Sequence, residues 1–240
     1  MTFDKVKAMK NAERFLAQGK IRAAISEYKR VVEADKNDFS TLNMLGDLHA
    51  KASETDEAVN CFMLVAEHYR KQDFSQKAIA IYNKVSRLKP DSLEVSAKLA
   101  QLYQMKGSLA EARTHYTTLA EQYSKTGQKA EALSVWKQIA NLDPKDADIY
   151  LKIADACWQE QLRDEAATAY VEAGTRLNAK KQYESAVTAF SRALEITPDD
   201  VKALKGFVET QMNLGYTDEA AKSLESSLAR QPHNREIMYL

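Results

Sequence analysis

Three of the four prolines in this chain, Pro90, Pro144 and Pro198, stand 54 residues apart, and shifting the sequence by 54 brings much else into register. Ala24, Ala78, Ala132 and Ala186 fall in one column, with Tyr28, Tyr82, Trp136 and Phe190 four residues on. A second column holds Ala58, Ala112, Ala166 and Ala220, each preceded by a glutamate (Glu57, Glu111, Glu165 and Glu219). Four residues beyond these come Phe62, Tyr116, Tyr170 and Leu224, and no gap is needed anywhere. A chain repeating on this scale builds its core by stacking: one unit cannot bury its apolar face alone, and each neighbour covers the last.

The period is helical. Apolar residues recur at i, i+3, i+4 and i+7, the spacing of one helix face. Gly (7) and Pro (4) are scarce while Ala, a strong helix former, occurs 35 times, which argues against turn-rich β folds. The units are 39–92, 93–146 and 147–200, with partial units at 1–38 and 201–240. Each reads as three helices, in the first at about 39–51, 55–71 and 74–88, and about thirteen are expected across the chain. Gly107 and Gly215 share one turn column and Gly19 and Gly127 another. Ser108-Leu109-Ala110-Glu111 reads as a capping box, and the prolines forbid the third helix to continue. No Pro/Gly/Ser-rich linker interrupts the pattern, so residues 1–240 read as one continuous domain. An alanine where two helices cross lets their axes approach, and the aromatic one turn later fills the space above it.

These columns resemble the tetratricopeptide repeat, a 34-residue helix–turn–helix unit with the pattern W-x2-L-G-x2-Y, then A-x3-F, then P. Leu42-x2-Leu45-Gly46 with Ala58-x3-Phe62 follows it, as do Leu99-Ala100-x2-Tyr103 with Ala112-x3-Tyr116, and Ala132-x3-Trp136 with Pro144. The last repeat runs from Leu204 through Ala220 and Leu224 to Pro232. The resemblance implies an all-α, right-handed α-solenoid whose family role is to hold other proteins, commonly as extended peptides. The chain departs from the family in one respect. Its alanine columns are spaced 34, then 20, then 34 (Ala24, Ala58, Ala78, Ala112), so the helix near 55–71 must close one repeat and open the next. Ala66, Ala120 and Gly174, with Tyr69, Tyr123 and Leu177, supply that second role. Helices of this length in a row are similar in architecture to SNAP-like adaptor solenoids. Because three helices per unit is an odd number, strict alternation of two layers would place the same helix on opposite sides in successive units.

Residues for chemistry do not converge. The glycines are too dispersed for a dinucleotide fingerprint, and Gln18-Gly19-Lys20-Ile21 lacks the upstream glycine and the Ser/Thr of a phosphate loop. The histidines at 49, 68, 115 and 233 form no H-E-x-x-H. Cys61 and His68 share a helix face, but at ~1.5 Å per residue their backbones stand about 10.5 Å apart, too far for one zinc. His49 falls in the packing column of Tyr103 and Cys157. No catalytic residue, metal or cofactor is expected.

The chain balances 34 basic against 34 acidic residues, so no overall charge draws it to nucleic acid or a membrane surface. Locally the signs separate: 1–38 has nine basic and six acidic side chains, whereas 147–200 has six and ten. Lys5, Lys7, Lys10 and Arg14 are interleaved with Asp4 and Glu13 without stacking aromatics, a solvated face rather than a nucleic-acid site. No apolar run is long enough to span a membrane, and the first fifteen residues lack the apolar core of a signal peptide. With only two cysteines, a cytoplasmic location is expected. At the other end, Ile237, Met238 and Leu240 either fold back as a cap or contact another chain, or the sequence is a piece of a longer protein.

The resemblance implies that the first helix of each unit carries the working surface. Its residues off the core columns are Asn43 and Asp47; Gln101 and Met105; Asp155, Trp158 and Gln159; Glu209, Met212 and Asn213. The family's carboxylate-clamping grooves use Lys, Arg and Asn at such places; these acids and amides argue against a clamp. Trp158 stands out because tryptophan dominates binding hot spots, although packing between repeats beside Cys157 would also explain it. Met44, Met63, Met105 and Met212 either fill core gaps or make an adaptable surface. The expected function is a non-catalytic scaffold or adaptor for a protein or peptide partner. Two alternatives stand beside it: a self-assembly module forming homo-oligomers through its ends, and a regulatory interaction domain of a larger enzyme or signalling protein.

Overall fold

The computed structural model describes residues 4–240, which contain fourteen helices and no strand. They are α1 (Lys5–Ala17), α2 (Ile21–Ala34), α3 (Phe39–Lys51), α4 (Thr55–Lys71), α5 (Ser75–Leu88), α6 (Leu93–Met105) and α7 (Leu109–Lys125). There follow α8 (Lys129–Leu142), α9 (Ala147–Gln159), α10 (Arg163–Ala179), α11 (Tyr183–Ile196), α12 (Val201–Leu214), α13 (Thr217–Arg230) and the single turn α14 (Arg235–Met238). The all-α expectation holds, and the unit foreseen at 39–51, 55–71 and 74–88 is α3, α4 and α5. Of the apolar N-terminal residues, Val6 is exposed and Met9 packs on the core; Phe3 lies outside the described residues.

Two kinds of turn join the helices, in a fixed order. After the first and second helix of each period, one residue takes a left-handed backbone: Gly19, Ser53, Asp73, Gly107, Gly127, Gln161, Lys181 and Gly215, with φ between 59° and 83°. The amide after it bonds back to the carbonyl five residues earlier, as in Phe74 N to Tyr69 O at 2.9 Å and Leu162 N to Cys157 O at 2.9 Å. This Schellman arrangement satisfies helix-end carbonyls that would otherwise be orphaned. The third helix ends differently. Its turn closes on an N-cap whose side chain accepts from the first amides of the next helix: Asp38 from Thr41, Ser92 from Val95, Asp146 from Asp148, and Asp200 from Lys202 and Ala203. A second helix, α13, departs from the order by ending in this kind of turn, where Asn234 accepts from Glu236 and Ile237. A short polar acceptor is what such a position favours.

The chain divides into two compact units, 1–115 and 116–240, the division falling within α7. In the first, α4 packs on both α3 and α5, which explains the double duty of its sequence. Lys5 Nζ lies 2.8 Å from Asp38 Oδ2 and the Thr41 hydroxyl 3.9 Å from Met9 Sδ, joining α1 to α3. Lys84 joins α5 to α3, and a Lys98–Glu67 pair at 3.0 Å joins α6 to α4. Thus α1, α3 and α5 make one layer, and α2, α4 and α6 the other. The second unit repeats the arrangement. Here α10 packs on α9, α11 and α12; Arg192 links α11 to α9, and Lys137 links α8 to α10.

Both alanine columns are at most 3% exposed, and Tyr28, Tyr82, Trp136 and Phe190 are buried beside them. Where an aromatic needs still more room, the facing helix offers glycine: a Cβ on Gly46 would meet Phe62 at 2.7 Å, and one on Gly174 would meet Phe190 at 2.8 Å. At the C-terminal end, Ile237 folds back on Leu204, Val208 and Ala220, while Met238 and Leu240 remain exposed.

Candidate interaction surface

In the first unit, Asn43 and Asp47 lie one turn apart on α3 and are half-buried. Both hold one cation from α5. Lys84 Nζ donates to Asn43 Oδ1 at 3.1 Å and to Asp47 Oδ1 and Oδ2 at 2.7 and 2.9 Å. The ammonium also sits 4.8 Å from the centre of the Phe62 ring on α4, a cation–π distance. The constellation returns 108 residues later. Asp155 Oδ1 on α9 accepts from the Tyr170 hydroxyl of α10 at 2.6 Å and lies 3.4 Å from Arg192 Nη1 of α11. Arg192 also reaches the Tyr170 oxygen at 3.2 Å, its guanidinium 5.6 Å from that ring. Burial, and then the bond to Asp155, push the Tyr170 phenol above its ordinary range.

The two cations are what sequence reasoning missed. Reading acids and amides along the first helices left Asp47 and Asp155 uncompensated, yet each has its counterion 37 residues on. The signal was available: Lys84 and Arg192 are themselves 108 apart, and in the intervening period both positions are glutamine, Gln101 and Gln138.

Trp158 is 50% exposed, with the Arg163 guanidinium 5.9 Å from its ring. Together with Asp155, Tyr170, Arg192 and Ile196 it lines a cleft of about 340 Å³. Gln159 borders a second cleft of about 310 Å³ with Trp136, over whose ring Lys152 stands at 5.0 Å. Gln101 and Met105 on α6, and Glu209, Met212 and Asn213 on α12, are exposed; Glu209 lies 3.9 Å from Lys205. In each unit the candidates divide between the two layers, α3 against α6 and α9 against α12. They therefore do not line one groove, because three helices per period is an odd number in a two-layered stack. Met44 and Met63 pack on the core, whereas Met105 and Met212 stand free at 75% and 59% exposure.

Three of the four histidines are engaged and both cysteines are buried; His233 is exposed. His49 Nδ1 lies 2.5 Å from Glu54 Oε2 across the α3–α4 turn, His68 stacks on Phe39 with ring centres 3.7 Å apart, and His115 stacks on Tyr103. Cys61 and Cys157 are buried free thiols, and burial raises both above the ordinary thiol range. Among the described residues, no three His, Cys, Asp or Glu side chains are grouped to hold a metal, and no helix is long and apolar enough to cross a membrane.

Two family profiles described as Tetratricopeptide repeat match residues 9–66 and 177–240, together just over half of the sequence. The chain belongs to the tetratricopeptide repeat family. A profile for Soluble NSF attachment protein, SNAP, matches residues 40–148, overlapping the first of these segments and containing two of the three 20-residue steps, Ala58 to Ala78 and Ala112 to Ala132. No curated protein matches the chain. Among solved structures it is similar to MamA 41-end from Desulfovibrio magneticus RS-1 (17% identity over 98% of this chain and 99% of that one, TM-score 0.27). It is also similar to TTC0263, a thermophilic tetratricopeptide protein of Thermus thermophilus (16% identity, 98% and 96%, TM-score 0.28). TM-scores this low carry no function across to this tetratricopeptide-repeat protein.

Proposed function

We propose that this tetratricopeptide-repeat chain is a non-catalytic scaffold or adaptor that binds a protein or extended peptide, with Trp158 on α9 at the centre of the contact in residues 116–240. The observation that supports it is a half-exposed tryptophan set in a cleft beside Tyr170, where Arg192 stands between Asp155 and the ring of Tyr170. A partner seated there covers a large aromatic surface. The unbroken 54-residue period supports reading 1–240 as one continuous array. The two free thiols suit the reducing cytoplasm.

The test is a pull-down with the purified chain beside a Trp158→Ala, Asp155→Lys variant whose helicity is checked by circular dichroism. A partner kept by the parent and lost by the folded variant supports the adaptor and its surface. The same partners on both place binding elsewhere, and recovery of the chain alone moves the reading to self-assembly.

A further inference from the structure

A cleft of about 570 Å³, larger than either described above, opens on the other side of α9. Its floor is apolar: Ala140 of α8, Ile153 and Cys157 of α9, and Ala169 of α10. Asp155 is two residues from both Ile153 and Cys157, and at ~100° per residue it leaves α9 on the opposite side. The cleft and the Trp158 surface are therefore back to back across one helix. A volume of this size lies within the ~300–1,000 Å³ range of ligand clefts.

The rim is charged, and unevenly. From α10 come Asp164, Glu165 and Glu172; from α8 comes Lys137. Lys137 Nζ reaches across to Glu165 Oε2 at 2.7 Å, with both side chains half-exposed. Glu172 pairs with Arg176 on its own helix. The surrounding period, 147–200, is the most acidic of the chain, with ten acidic against six basic residues.

We propose that this cleft docks an apolar segment of a partner protein that carries lysine or arginine beside its apolar residues, the incoming cation replacing Lys137 on Glu165. This goes beyond the reading above, since it adds a second docking face to the one bearing Trp158. The chemistry follows from the two components of the site. Apolar side chains gain by leaving water for the floor. Exchanging one exposed ion pair for another is nearly neutral in free energy, so the carboxylates of α10 select the partner's charge and speed its approach more than they tighten it. An acidic segment would face three carboxylates and be rejected.

The experiment uses two synthetic peptides of equal leucine content, one with lysine and one with glutamate between the leucines, titrated into the full chain with ¹³C-labelled Ile and Ala methyls. The Leu/Lys peptide is expected to shift the Ile153, Ala140 and Ala169 methyls and the Leu/Glu peptide to leave them in place. Lys137→Ala, which frees Glu165, is expected to tighten the Leu/Lys peptide several-fold, and Asp164→Lys to weaken it about tenfold; Lys129→Ala, outside the cleft, leaves it unchanged. Equal binding of both peptides, shifts confined to the Trp158 side of α9, or weaker binding by Lys137→Ala would each overturn the proposal. Because the readout is the methyls of the cleft, loss of partners in the Trp158→Ala, Asp155→Lys pull-down bears on the other face alone.

Discussion

Phe190 is buried to 1% exposure because two helices withhold a side chain from it. Gly174 on α10 and Gly206 on α12 both face the ring, and a Cβ at Gly174 would stand 2.8 Å from it. On helix propensity alone, alanine at Gly174 would stabilise α10 by about 1 kcal/mol. Overpacking a closed core site costs about 1–3 kcal/mol, so it should win. We therefore expect Gly174→Ala to lower the urea midpoint, and Phe190→Leu to recover part of the loss in the double variant; a raised midpoint in the single variant would show that the ring has room. Glu67 on α4 is a second residue whose role depends on its neighbours. It accepts from Arg70 Nη2 at 2.8 Å, from Lys98 at 3.0 Å and from the Tyr82 hydroxyl. Burial by itself would raise the Glu67 carboxyl, but the bonds from Arg70, Tyr82 and Lys98 outweigh it and hold it at about 2. A carboxyl lowered on folding stabilises the chain above its ordinary value near 4.5, and that contribution is lost as the pH falls from there through about 2. Glu67→Gln should thus cost up to about 3 kcal/mol at pH 7, and the gap to the parent should close on acid titration of the unfolding free energy. A gap constant from pH 7 to pH 2 would mean the cluster contributes packing alone.

At the scale of the element, the left-handed turns show what a propensity reading catches and what it passes over. The columns of Gly19, Gly107, Gly127 and Gly215 were legible as turns because glycine announces a positive φ. Ser53, Asp73, Gln161 and Lys181 occupy the same columns with the same backbone and carry no such mark. There the five-residue back-bond and the packing of the two helices impose a conformation that costs an L-residue roughly 1–2 kcal/mol. Replacing Gln161 or Lys181 by glycine should relieve that strain. After allowing for the greater freedom of glycine in the unfolded chain, each should gain about 0.5–1 kcal/mol, read as a higher melting temperature; a fall in either would show that the side chain itself holds the turn. The N-cap column, Asp38, Ser92, Asp146 and Asp200, is a signal that the prolines of the same turns overshadowed in the sequence: four short acceptors 54 apart, whose capping bonds only the structure shows.

Over the whole chain, contacts stay local. The hydrogen bond of greatest sequence separation among those described joins Asn43 to Lys84, 41 residues apart, so each helix answers to neighbours no more than two elements away. Stability in such an array is close to a sum of local and nearest-neighbour terms. Hydrogen exchange should show it: Gly174→Ala is expected to speed exchange in α9 to α12 while the amides of α1 to α5 keep their protection. Uniform acceleration across the chain would instead reveal a single cooperative transition. The sequence by itself determined the helices, their order, the columns of the core and the places where they break. Periodicity, caps and alanine spacing are local or nearest-neighbour properties, and a repeat prints them several times over. What only the tertiary structure decided is which side chains meet across a layer. The sequence marks Asp47 and Asp155 as exposed acids on first helices; whether Lys84 and Arg192 reach them depends on α3 and α5, or α9 and α11, lying side by side with one helix beneath. The division of the ten candidates between two layers and the apolar cleft behind α9 have the same origin. Each depends on how three consecutive helices stack, and no single helix carries that information.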